Sequence, residues 1–177
     1  MLILEVLAVI LAWLGGAAVL LSSGRRGIAL GIGAAGLGLG LSEFAAGAGE
    51  EAILVLLGAL LAAGLRLRDG GRGWGTLGPG STPGLISALA ALLGPLLLAV
   101  YLLPGRAEPA LLCGMVVTTL GAMSVMATGE RQLSLAGAAL VAFGVGAMAG
   151  PEAAIYGAVG ATLVSMLPAS AASRPQP

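Results

Sequence analysis

Long apolar runs alternate with short polar breaks along this chain, and the charged residues sit almost entirely in the breaks. A hydrocarbon core about 30 Å thick takes about 20 helical residues to cross. Runs suited to that task fall at 2–22, 27–46, 50–66, 84–103, 109–127, 132–149 and 151–167. The third and the last two are short, so they would start in their flanking loops or lie where the bilayer is thinned. Only 9% of the residues are charged and 58% are hydrophobic, against about 25% charged in a soluble domain. Such a chain lacks the charge to cover a water-facing surface. The expectation is an all-α, polytopic bundle of about seven transmembrane helices.

The breaks have the chemistry of helix ends. Ser22-Ser23-Gly24-Arg25-Arg26, Pro104-Gly105-Arg106-Ala107-Glu108-Pro109 and Thr128-Gly129-Glu130-Arg131 are turns. Gly47-Ala48-Gly49 is followed by Glu50 and Glu51, acids suited to a helix N-terminus. Gly150-Pro151-Glu152 puts proline at a first helical position. Arg66 to Pro83 is rich in glycine and charge and reads as an exposed loop; the tail 169–177 reads as disordered. The start, Met1 to Leu21, lacks the positive segment of a signal peptide and reads as a retained first span. The units expected are 1–66, a cytoplasmic loop 67–83, a linking helix 84–103, 104–168 and the tail.

Arginine supplies all eight basic residues. Threading the chain seven times gathers Arg25, Arg26, Arg66, Arg68, Arg72, Arg131 and Arg174 on one side and leaves Arg106 alone on the other. The positive-inside rule then puts the C-terminus in the cytoplasm and the N-terminus outside, in a plasma (inner) membrane.

Several kinds of chemistry are excluded by composition. There is no histidine, so no histidine base, no histidine-bound zinc and no ordinary haem ligand pair. Cys113 is the single cysteine, which rules out an internal disulfide. The only aspartate is Asp69, so an aspartate pair is impossible. The expectation is no enzyme, no metal and no cofactor. No basic patch interleaves with aromatics, which argues against nucleic acid.

A three-span pattern recurs in one orientation. Gly16 and Ser23-Gly24-Arg25-Arg26 are answered, 105 residues on, by Gly121 and Thr128-Gly129-Glu130-Arg131. Ala48-Gly49-Glu50-Glu51-Ala52 is answered at an offset of 101 by Ala149-Gly150-Pro151-Glu152-Ala153, which implies a four-residue gap. Spans 1–3 then correspond to spans 5–7, and span 4 restores orientation, as in parallel repeats of membrane transport folds.

Gly31-Ile32-Gly33-Ala34-Ala35-Gly36 matches a dinucleotide fingerprint in letters only, since it lies inside an apolar helix and not after a strand. Gly27 with Gly31, Gly36 with Gly40, and Gly146 with Gly150 lie four apart and suit close helix packing. Glu43, near the end of span 2, is the candidate proton or ion site, with Glu50 and Glu51 at the mouth of span 3. Its nearness to Gly47 also lets it reach the headgroup region. Glu5, Glu108 and Glu152 read as interfacial helix caps. Pro95 should kink span 4. Hydroxyls of spans 5 and 7 (Thr118, Thr119, Ser124, Thr162, Ser165) suit bonds to backbone carbonyls.

From Gly24-Arg25-Arg26 through Arg66-Leu67-Arg68, and again from Gly129 through Pro168, the chain resembles the small K subunit of respiratory complex I and the C subunit of Mrp-type cation/proton antiporters. The doubled form with an added helix is similar to the E component of hydrogenase-4-type complexes. The resemblance implies a non-catalytic membrane subunit of an ion-translocating complex, embedded in lipid and packed against larger antiporter-like chains. It also implies a buried glutamate midway along the second helix; here Ala34 to Leu39 holds none and Glu43 is displaced. Two other readings are a small self-contained oligomeric transporter or channel, and a membrane-anchored assembly factor docking through Arg66–Pro83.

Overall fold

The computed structural model describes residues 2–22, 24–68, 82–102, 108–127 and 131–168. The described residues form seven α-helices: α1 (Leu2–Leu21), α2 (Arg25–Ala45), α3 (Gly49–Arg68), α4 (Thr82–Leu102), α5 (Pro109–Ala127), α6 (Arg131–Met148) and α7 (Pro151–Met166). The protein is an all-α bundle. Stretches of α1, α2, α5 and α6 are long and apolar enough to cross a membrane: Ile3–Leu21, Arg25–Ala45, Pro109–Met126 and Arg131–Met148. The third span is not short, as its apolar run suggests, because α3 takes in Gly49 to Arg68. Its first turn carries Glu50 and Glu51 and its last Arg66 and Arg68, charges that complement the helix dipole. The expected loop is correspondingly shorter. Residues 69–81 and the tail 169–177 lie outside the described residues, as do Arg72, Arg106 and Arg174.

Backbone chemistry fixes the turn after α2. The Ala48 N–H donates to the Glu43 carbonyl at 3.0 Å and the Gly47 N–H to the Phe44 carbonyl at 3.1 Å. That is a Schellman closure, and Gly47 meets its left-handed requirement with φ +88°. Gly150 has φ +111° and ψ 172° ahead of Pro151, a conformation nearly confined to glycine.

The helices stack in two layers of three. α1–α2–α3 are neighbours in one layer and α5–α6–α7 in the other; α1 lies on α5, α2 on α5 and α6, and α3 on α7. α4 rests on α1 and α5 at the edge. The Trp13 indole N–H ties it to α1 by donating to the Ala88 carbonyl at 2.9 Å. Pro95 is buried inside α4 and removes the N–H that would serve the Ala91 carbonyl.

The two layers are packed alike, residue for residue. A Cβ on Gly15 would meet the Gly31 carbonyl oxygen at 2.6 Å and one on Gly31 the Gly15 carbonyl oxygen at 2.6 Å. Gly121 and Gly137 stand in the same reciprocal relation at 2.6 Å. Val19 touches the Gly31 site as Val125 touches the Gly137 site. Gly38 sits against Ala8 and Ala12, and Gly144 against Gly114 and Thr118. Every one of these pairs is offset by 106. Between α2 and α3, Gly40 faces Ala52 and Leu56; between α6 and α7, Gly146 faces Ala153 and Gly157. There the third helix is offset by 101. Packing therefore corrects the first offset from 105 to 106 and the gap from four residues to five.

Among the described residues, charge divides by end. Glu5, Glu50, Glu51, Glu108 and Glu152 stand at or beside the N-termini of α1, α3, α5 and α7, and Glu43 in the last turn of α2 joins them. Arg25, Arg26, Arg66, Arg68 and Arg131 all lie at the opposite end.

Candidate functional site: a sealed carboxyl at the acidic end

Glu43 continues the face of α2 that holds Ile32, Gly36 and Leu39, at steps of four, three and four residues. That face looks into the bundle, so Glu43 is fully buried. This corrects the headgroup reading: the Schellman turn ends the helix, but the side chain points away from the surface. Neither Oε1 nor Oε2 has a hydrogen-bond partner among the described residues.

Its surroundings are half polar. Ser42, also fully buried, donates its hydroxyl to the Leu39 carbonyl at 2.7 Å. The Ser42 side chain is also within hydrogen-bond reach of Cys113 on α5, and Glu43 is close enough to Cys113 to act on it electrostatically. Glu51 and Glu108 bring further negative charge to bear on Glu43. Glu51 is half-buried and Glu50 exposed. Burying an isolated charge is strongly unfavourable, whereas a bound proton or a cation relieves both the charge and the empty lone pairs. Acids are what this cluster offers. No group of three or more Cys, Asp or Glu with metal-holding geometry occurs among the described residues.

The other end has its own buried polar group, which hydrophobicity alone assigned to the loop. Arg66 continues the α3 face of Val55, Ala59 and Ala62 and is fully buried. Its Nη2 donates to the Val164 carbonyl of α7 at 2.8 Å. Nearby, Thr162 Oγ1 donates to the Ala158 carbonyl at 2.8 Å and lies 3.3 Å from the Gly58 carbonyl. Between these ends the core is mostly apolar, with Ile32, Ala35, Ala59, Val117 and Leu140 fully buried. The Thr118 hydroxyl midway along α5 is buried there too; like Ser165 Oγ, it has no hydrogen-bond partner among the described residues, so the carbonyl bonds expected of these two are not made. Thr119 and Ser124 turn back onto their own helix, donating to the Met115 carbonyl at 2.7 Å and the Leu120 carbonyl at 2.9 Å.

The glycines singled out from sequence have different duties. Gly31 meets α1, Gly36 and Gly40 meet α3 at Ala59 and Leu56, and Gly146 meets Gly157. Gly27 is buried. Gly150 is not a packing residue; a Cβ there would find nothing within 4 Å, and its role is the turn. Gly15, Gly114, Gly121, Gly137 and Gly144, which the four-residue spacing did not single out, make comparably close approaches; their signal is that they too are small residues inside apolar helices. Compared with protein-family models, curated proteins and solved structures, the chain matches none of them.

Proposed function

We propose that this chain is a non-catalytic integral membrane subunit of an ion-translocating complex, with all seven helices crossing the bilayer and the arginine end in the cytoplasm. The observation that carries it is Glu43: a fully buried carboxyl with two unbonded oxygens, placed one helical turn from the acidic end. An intramembrane acid is costly and marks proton or ion handling. The apolar layer between Glu43 and Arg66 argues that the rest of the route lies in partner chains. Glu43 then holds a proton or cation at the acidic end, and energy coupling belongs to the larger subunits. The resemblance to the small subunits of complex I, Mrp antiporters and hydrogenase-4-type complexes supports the same reading.

The test is affinity purification of the tagged chain in mild detergent, followed by reconstitution. Co-purification of other membrane subunits is expected, with ion flux from the assembled complex and none from the isolated chain. Robust flux from the isolated chain in liposomes would overturn the reading in favour of a self-contained transporter.

A further inference from the structure

The two middle helices bury opposite faces. On α2 the outward positions are Leu30, Gly33, Ala34 and Leu37, all exposed or half-exposed. Their counterparts 106 residues on are Ala136, Ala139, Leu140 and Phe143, and every one is buried. On α6 the outward positions are Ala138, Val141 and Val145, followed by Ala149 just past its end. Their counterparts on α2, Ile32, Ala35, Leu39 and Glu43, are all buried. The third helices repeat the exchange at their offset of 101: Leu57 and Leu60 are exposed where Ala158 and Ala161 are buried, and Val159 and Leu163 are exposed where Gly58 and Ala62 are buried.

Apolar exposure alone says nothing in a membrane, because lipid covers it as well as protein does. The exchange of faces says more. It means that the back of the first layer packs on the front of the second, both layers the same way up. Such a contact is heterologous, and one application of it leaves a front and a back unused. The unused front is the first layer's and the unused back is the second layer's. They are the counterparts of the two surfaces that already mate inside the chain. The main neighbours of α4 are α1 and α5, at the edge. The unused back carries Ala149 where the mated one carries Glu43, so closing this contact buries no acid at that position.

We infer that copies of this chain assemble head to tail in the plane of the membrane, the α6–α7 face of one packing on the α2–α3 face of the next. The contact repeats the one between the two layers, with Val145 of one copy opposite Leu37 of its neighbour, as Leu39 and Phe143 share the core within one copy. It does not depend on the ion-translocation reading, since it rests on packing alone.

The test uses a Leu37→Cys/Val145→Cys double variant of the full chain on a Cys113→Ser background, treated in native membranes with a short bis-maleimide. Within one chain the two positions face away from each other. A ladder of cross-linked species is expected from the double variant, none from either single variant, and dimers only when the two single variants are co-expressed. Copy number by native mass supplies a second measurement. At least two copies per particle are expected in the wild type and one after Ala34→Trp or Ala138→Trp. One copy per wild-type particle, or cross-linking of Leu37→Cys to itself in place of Val145→Cys, overturns the inference.

Discussion

Arg66 and Val164 join the two layers at the arginine end: the guanidinium Nη2 reaches the carbonyl oxygen in the last turn of α7 at 2.8 Å. The Val164 carbonyl also accepts from the Leu167 N–H at 3.2 Å, the bond that closes α7. Arg66, from the last turn of α3, adds a second and charged donor to that oxygen. Replacing Arg66 with alanine removes a charge-assisted bond and the packing of the stem. A loss of about 2–3 kcal/mol is expected, since hydrogen bonds to charged groups contribute about 1.5–3 kcal/mol. Denaturant titration in mixed micelles measures it, and Arg66→Ala unfolding at the wild-type midpoint would refute the role.

The glycine contacts between α1 and α2, and those between α5 and α6, should be intolerant of a single methyl. Gly15→Ala would press into the backbone of Ala35 and Gly31, and Gly121→Ala into the Gly137 carbonyl. Overpacking of this kind costs about 1–3 kcal/mol. Gly64, on the exposed side of α3, has nothing within 4 Å. Gly64→Ala is therefore expected to stabilise by about 0.5–1 kcal/mol through helix propensity. Thermal melting of the three variants checks the opposite signs.

Glu43 should be dispensable for folding and needed for flux. Glu43→Gln keeps the shape, and Glu43→Met removes two unbonded buried oxygens, a change expected to stabilise by about 1–3 kcal/mol. In the assembled complex both variants are expected to lower ion flux by about 100-fold, the scale of losing a proton-transfer group. Flux at the wild-type rate in a fully assembled Glu43→Gln complex would refute the site.

α4 should loosen by itself. Trp13→Phe keeps the ring but deletes the bond to the Ala88 carbonyl, worth about 0.5–1.5 kcal/mol. Amide exchange is expected to rise along α4 and to stay unchanged in α2 and α6. A uniform rise in all helices would show that α4 is part of one cooperative unit with them.

The turn at Gly150 gives a purely conformational test. With φ +111° and open space around it, Gly150→Ala meets no atom yet forces a strained backbone. The expected cost is about 1–3 kcal/mol, measurable as a lowered unfolding midpoint. An unchanged midpoint would mean the turn relaxes freely.

Helix ends were legible because glycine, proline and charge punctuate them: Gly47, Pro109 and Pro151 each stand within a few residues of an observed boundary. Where apolarity alone drew the line, it cut short. α3 extends to Arg68 because Arg66 is inside the bundle, and its spacing from Val55, Ala59 and Ala62 carried that information. The same holds for Glu43, whose place in the series Ile32, Gly36, Leu39 outweighs its nearness to the turn. Residue types marked the glycines that pack, but not which neighbour each one meets. That depends on helix rotation, which a sequence with only 3% aromatic residues specifies weakly.

The lone edge helix has a consequence for how such a molecule arises. A unit with an odd number of crossings ends on the side opposite its start, so copying it in tandem would insert the second copy upside down. In the seven-span reading proposed above, α4 would be the return stroke that prevents this. Its obligation would be to traverse, more than to fit, in keeping with its place at the edge of both layers. Two separate polypeptides, one ending after α3 and one beginning at α5, would each insert in the required sense with no need of it.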